Sequence, residues 1–131
     1  MAHDPNSLSP EITAFLTERH LASLTTMRLD GTPHVVAVGF TWDPDEQIVR
    51  VITWGASRKA RNVAASPGSP AAVCQVDGGR WLTLEGQASI TSEPGRVSEA
   101  VRRYAERYRE PKERIDRVVI EIAVDRILGR G

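Results

Sequence analysis

The chain has 131 residues, and 17 Lys+Arg balance 17 Asp+Glu, so its formal net charge is zero. That length suits one domain with a sizeable core, and the charge balance argues against a protein built to coat nucleic acid or an acidic membrane. A single cysteine, Cys74, excludes an internal disulfide and fits a reducing, cytoplasmic setting.

Residues 1–7 read as a loose tail with neither the basic nor the apolar region of a signal peptide. No apolar run approaches the ~20 residues of a membrane span. Ser9-Pro10-Glu11 is a helix start: a capping hydroxyl, a proline at the first helical position and an acid in the first turn. Ile12, Phe15 and Leu16 give that helix its apolar stripe, and Glu18-Arg19-His20 closes it.

Strand signals follow. Leu21 to Leu29 is rich in Leu, Thr and Ser, and Asp30-Gly31-Thr32-Pro33 is a turn. His34 to Trp42 places Val36, Val38, Phe40 and Trp42 on one face and Val35, Ala37, Gly39 and Thr41 on the other. With both faces apolar or small, it reads as a central strand. After the turn at Asp43-Pro44-Asp45-Glu46, Ile48 to Thr53 is a third strand, and the three form an antiparallel meander.

Thr53-Trp54-Gly55-Ala56-Ser57-Arg58-Lys59-Ala60-Arg61-Asn62 then carries the strand into a short helix capped by Ser57. Three cations at a helix start oppose the helix dipole unless an anion sits in front of them. Free amides, a hydroxyl and cations together suit phosphate or carboxylate. Arg58, Arg61 and Asn62 share a helical face by spacing. No acidic residue lies between Glu46 and Asp77, so Arg50, Arg58, Lys59 and Arg61 lack local partners. The alternative is a set of solvated surface cations.

Ser66-Pro67-Gly68-Ser69-Pro70 ends the helix. Ala71 to Val76 is a fourth strand, and Asp77-Gly78-Gly79-Arg80 turns into a fifth, Trp81 to Thr91, where Gly86 marks a bulge. Glu93 to Arg109 is a helix with Val97, Val101, Tyr104, Ala105 and Tyr108 as its stripe. Its Glu99–Arg103 and Arg102–Glu106 pairs are worth roughly 0.2–0.5 kcal/mol each. Arg117 to Val124 is the last strand. Six antiparallel strands with few short helices form a mainly β protein, a small closed or nearly closed barrel.

Several residues carry two readings. Trp81 and Trp54 stack on a planar ligand or pack at a barrel rim. Gln75 is a satisfied core amide or a ligand contact. His20 and His34 read as polar strand ends, and Cys74 as a buried apolar residue rather than a nucleophile. There is no HExxH, CxxC, GxSxG or P-loop, so neither a metal site nor a nucleophile elbow is expected. Glu85 and Glu121 lie on strands with no sign that they meet, and no catalytic acid–base set is identified. An anion anchor without a catalytic set suggests chemistry carried by a cofactor.

Taken together, Ser57-Arg58-Lys59-Ala60-Arg61-Asn62, Pro33 to Thr41, Gln75-Val76-Asp77-Gly78-Gly79-Arg80-Trp81-Leu82, Arg103 to Arg109 and Arg117 to Glu121 resemble the flavin/deazaflavin oxidoreductases of actinobacteria. These have the split barrel of the pyridoxamine-phosphate-oxidase-like superfamily, with FMN-binding relatives. The likeness spans nearly the whole chain and is strongest to the mycobacterial members that reduce biliverdin with coenzyme F420.

The resemblance implies a homodimer with cofactor sites at the subunit interface. It implies that Ser57, Arg58, Lys59 and Asn62 hold the cofactor phosphate, with Arg61 near its glutamyl tail. The ring would lie against Val36–Val38, with Gln75, Gly79 and Trp81 close by, and Arg80 would meet substrate carboxylates. The implied reaction is hydride transfer from reduced F420 to a planar conjugated substrate, biliverdin best of all. The alternatives are an FMN-dependent oxidoreductase and a non-enzymatic F420- or haem-binding protein.

Overall fold

The computed structural model describes residues 2–131. Its elements, in order, are β1 (Ala2–His3), α1 (Pro10–Thr17), β2 (Ala22–Met27), β3 (Pro33–Val38), β4 (Thr41–Asp43), β5 (Ile48–Trp54), α2 (Arg58–Ala65), β6 (Pro70–Asp77), β7 (Arg80–Thr91), α3 (Pro94–Arg107) and β8 (Arg117–Arg130). All strands pair antiparallel in the order β3-β2-β6-β7-β8-β5-β4, and β1 adds to β8.

β3 and β4 are the two ends of that path, yet only Gly39 and Phe40 separate them. Val38 and Thr41 can therefore be at most about 11 Å apart. The sheet must curl until its ends approach, leaving an unpaired seam: this is the split barrel. The C-terminus of α3 seals the seam. The Tyr108 hydroxyl accepts from the Phe40 amide at 3.1 Å and donates to the His20 carbonyl at 2.6 Å. Arg107 Nη1 donates to the Phe40 carbonyl at 2.7 Å. A Cβ on Gly39 would stand 3.0 Å from both the Tyr104 and Tyr108 rings, so a side chain at the crossing would press both rings back by a few tenths of an ångström.

The barrel is filled by Leu24, Val49, Val51, Val73, Leu82, Leu84, Ile120, Ile122 and Ile127. Phe15 from α1 and Phe40 from the seam join this core with no exposure at all. Each such side chain contributes about 1.5–3 kcal/mol by leaving water. β7 and β8 bend together where the register shifts between Glu85 and Gly86, as the glycine predicts. The Glu99–Arg103 and Arg102–Glu106 pairs also form, at 2.6 and 2.5 Å.

Four expectations change. There are eight strands rather than six, because His34–Trp42 breaks at the seam and Ala2–His3 forms a short strand of its own. The loose tail is instead fastened by that pairing and by a 2.7 Å bond between His3 Nε2 and the Gly129 carbonyl. The expected three-strand meander is interrupted at its middle strand, whose first half, β3, pairs with β2 and whose second half, β4, pairs with β5. β3 is an edge and not a central strand: Val35 is 60% exposed, and its neighbours on β2 and β6 leave the outer face apolar. An edge strand with an uncovered apolar face has the same sequence pattern as a buried one.

Candidate functional site

α2 begins where the chain leaves β5. The Ser57 amide turns back to the Trp54 carbonyl at 3.0 Å. The buried Ser57 hydroxyl accepts from the Ala60 amide at 3.2 Å and from the Thr53 hydroxyl at 3.0 Å. Asn62 is also buried, and its Nδ2 donates to Thr26 Oγ1 on β2 at 3.1 Å. Arg58 and Arg61 stay exposed, so the shared face of Arg58, Arg61 and Asn62 does not form: Asn62 clamps the helix to the barrel instead.

Lys59 is half-buried, with Nζ 5.2 Å from the centre of the Trp54 ring. Burial alone pushes its ammonium below the usual lysine range. Arg50, in contrast, is no free cation. It is 4% exposed and pairs with Asp43 at 2.8 Å and Glu46 at 2.9 Å, partners the strand pairing brings in from outside the acid-free segment.

Lys59 lines a cavity of about 270 Å³ at the seam. Val38, Gly39 and Ile52 form its apolar lining, with Trp54 and Tyr104 beside them. Its three charged groups are Lys59, Arg114 and Arg117, and no carboxylate lines it. Arg114 stacks over Trp54 at 5.0 Å and also bonds Asp116 at 3.1 Å. Arg117 donates through Nη2 to the Lys112 carbonyl at 2.7 Å, while its buried Nε has no partner. A buried donor without an acceptor carries a penalty of about 1–3 kcal/mol that an incoming anion removes. On the far side of Arg114 and Arg117 lies an open groove of about 1000 Å³, where Val97, Val101 and Ala105 of the α3 stripe face outward rather than into the core.

Like Arg50 at its buried Nε, His34 also carries an orphan nitrogen. It lies directly opposite Thr26 in the β2–β3 pairing, and its Nδ1 is buried without a partner. Burial, reinforced by the charges of Arg28, Lys59 and Arg58, holds its imidazole below the ordinary range.

The remaining predicted residues lie apart from this cavity. Gln75 is fully buried: Nε2 donates to the Phe15 carbonyl at 2.9 Å and Oε1 accepts from Arg107 Nη2 at 2.7 Å. It is the satisfied core amide, not a ligand contact. Arg80 is held by Glu18 at 2.9 Å and by Asp77, and its guanidinium lies 4.3 Å from the Phe15 ring centre. That arginine is therefore already neutralised and does not stand free for a substrate carboxylate. The same arginine occupies the two carboxylates of Glu18, His20 and Asp77, whose ligand atoms lie within 4.8 Å of one another.

The exposed Gly79 and half-buried Trp81 sit at the β6–β7 turn, where Trp81 pairs with Val76 and Arg130. Cys74 is half-buried on the outer face beside Leu21, Val35 and Val76, not in the core. Val36 borders that face as well. Glu85 meets Arg126 at 3.7 Å and Glu121 meets Arg96 at 2.6 Å, each with its own cation.

Sequence reasoning missed Tyr104, Arg114 and Arg117 as lining groups. Arg117 reaches the site only because it pairs in register with Trp54, a contact 63 positions away that no local pattern encodes. His34 reads in the sequence as a polar strand end, although its alternation with Val36 and Val38 is the signal that places it on their side of the strand.

Comparison with known proteins fits this arrangement. Residues 8–131 match the family described as pyridoxamine 5'-phosphate oxidase. The chain belongs to the pyridoxamine 5'-phosphate oxidase family. The family's split barrel is thus the fold that the resemblance implied. Among its relatives is the F420H(2)-dependent biliverdin reductase of Mycobacterium tuberculosis (strain CDC 1551 / Oshkosh), 53% identical over 98% of this chain and 93% of that protein. A solved structure called F420 Reductase superposes with a TM-score of 0.71 at 27% identity, covering 88% of this chain and 94% of the other. A conserved hypothetical protein of M. tuberculosis, Rv2991, superposes with a TM-score of 0.79 at 23% identity, covering 99% and 89%.

Proposed function

We propose that the protein is an F420-dependent reductase that delivers a hydride to a planar conjugated acceptor, with biliverdin as its substrate and bilirubin as its product. The observation that carries this reading is the 53% identity to an F420H(2)-dependent biliverdin reductase over nearly the whole chain. The site chemistry agrees with it. A cavity lined by three cations and no acid, with a buried unpaired guanidinium N–H, suits an anionic cofactor.

The residues present fit F420. Arg58 and Lys59, with the first-turn amides of α2, would hold its phosphate, and Arg61 is free to meet the glutamyl tail. Ser57 and Asn62 serve by fixing the helix: one caps it and the other ties it to β2. Ala37 and Val38 line the cavity and offer an apolar strand for the ring, with Val36 one step further along β3. Arg114 and Arg117 stand between this cavity and the open groove, and they replace Arg80 as the cations for substrate carboxylates. When bound, reduced F420 supplies the hydride. The protein orients both partners and keeps water from the reacting faces.

We further propose that two copies associate through the outer face of β3, β2 and β6. Leu21, Val35 and Val76 are each at least 60% exposed there, more apolar surface than one edge needs. Ala37 borders both this face and the cationic cavity, so a second copy would reach the mouth of the site. Gly79 and Trp81 would then contribute from across the interface. A cytoplasmic setting is favoured by the one unpaired thiol, Cys74.

Fluorescence titration with F420 and with FMN, followed by a biliverdin reduction assay, tests the reading. Tight F420 binding and turnover are expected. Tight FMN binding with no affinity for F420 would transfer the protein to the flavin branch, and binding without turnover would make it a cofactor carrier.

A further inference from the structure

His34 sits on the face of the barrel that α2 covers. Residues directly opposite in an antiparallel pair point to the same side of the sheet. Thr26 is opposite His34, and Asn62 of α2 donates to Thr26 at 3.1 Å. The imidazole is thus on the side from which Arg58 and Lys59 act on it, with Arg28 acting from the end of β2. The charges that bear on it are those of Arg28, Lys59 and Arg58, all positive. Its Nδ1 is nevertheless buried and bonded to nothing. An orphan nitrogen among cations is a poor arrangement for an empty surface and a good one around an anion.

We propose that His34 is a further ligand of the cofactor's anionic group, and that its imidazole takes up one proton from solvent as that group binds. The proposal rests on the F420 reading. Protonated imidazole donates through both nitrogens, so the proton turns Nδ1 into a donor for the anion. Without ligand, burial, reinforced by the charges of Arg28, Lys59 and Arg58, holds the imidazole below its ordinary range. With the anion in place the field reverses and the bound form titrates higher. Affinity gained in this way is complete below the ligand-free pKa and is lost as pH rises through the ligand-bound one.

Calorimetric titration of the full-length protein with oxidised F420, in buffers of different ionisation enthalpy, measures the proton directly. Native protein is expected to take up roughly half to one proton more than His34→Gln near pH 7. Its affinity should rise by up to about tenfold per pH unit as pH falls from 8 to 6, and that slope should flatten in His34→Gln. The ligand's own titration is common to both proteins and cancels in the comparison. At pH 6 the variant should bind about five- to tenfold more weakly.

Should the variant fold poorly, the imidazole resonance of His34 in native protein gives the same answer by NMR, as an upward shift of its titration on adding F420. Equal proton uptake and parallel pH profiles, or an unmoved imidazole titration, would overturn the proposal while leaving the F420 site intact. Failure of native protein to bind F420 would overturn both together.

Discussion

Replacing Lys59 by methionine separates the charge of the cavity from its packing. The methionine keeps an unbranched apolar stem against Trp54 and removes only the ammonium, which stands 5.2 Å from that ring. A charge-assisted hydrogen bond to a phosphate is worth about 1.5–3 kcal/mol. Its loss should weaken F420 binding by roughly 10- to 150-fold. Stability should move little, because two effects oppose. A cation–π contact of about 0.5–1 kcal/mol disappears, while the burial that depresses the Lys59 ammonium no longer penalises a charge. The net change is within about 1 kcal/mol, a few degrees in Tm for a chain of this size. Fluorescence titration and a thermal melt on the same samples read both quantities. The affinity difference should also shrink as salt is raised. A variant that binds F420 like native protein would refute the anchor. A melting point lowered by more than ten degrees would show that Lys59 is a structural residue.

Gly86→Ala should destabilise the barrel by about 3 kcal/mol or more, because the new Cβ would lie 1.9 Å from the Ala123 carbonyl oxygen and only backbone can yield. An unchanged urea midpoint would contradict the tight crossing of β7 and β8. Asp43→Ala strips the buried carboxylate that holds Arg50 at 2.8 Å and Arg103 at 3.3 Å. Leaving the buried Arg50 with Glu46 as its remaining partner should cost about 3 kcal/mol in a denaturant melt, with no change in F420 affinity once folded. Val35→Glu places a charge on the 60% exposed outer face of β3. Light scattering should find a dimer for native protein and a monomer for the variant, with weakened F420 binding. A native monomer would exclude the interface.

Local chemistry was the legible part of the chain. Ser57 caps α2 because a hydroxyl before a helical run has an amide to satisfy three residues on, and the Ser57–Ala60 bond is that contact. Gly86 announced a bulge for the same kind of reason. What could not be read depends on partners distant in sequence. Gln75 looked like a possible ligand contact because Phe15 and Arg107, which satisfy it, lie 60 and 32 positions away. Arg80 looked free because Glu18 is 62 positions away. β3 was misplaced because its valines on both faces suit burial between strands equally well as an edge with one uncovered apolar face. The cationic cavity was half visible: Lys59 belongs to a motif, whereas Arg114 and Arg117 arrive through the register of β8 on β5.

In the proposed reaction the cationic cavity holds a hydride donor for an extended conjugated acceptor. Anaerobic mixing of the protein with reduced F420 and biliverdin, followed at the absorbance bands of both, tests it most directly. One reduced F420 should be oxidised for each bilirubin formed, neither change should occur without the protein, and Lys59→Met should slow the reaction at limiting F420. Binding of reduced F420 with no oxidation in the presence of biliverdin would contradict it.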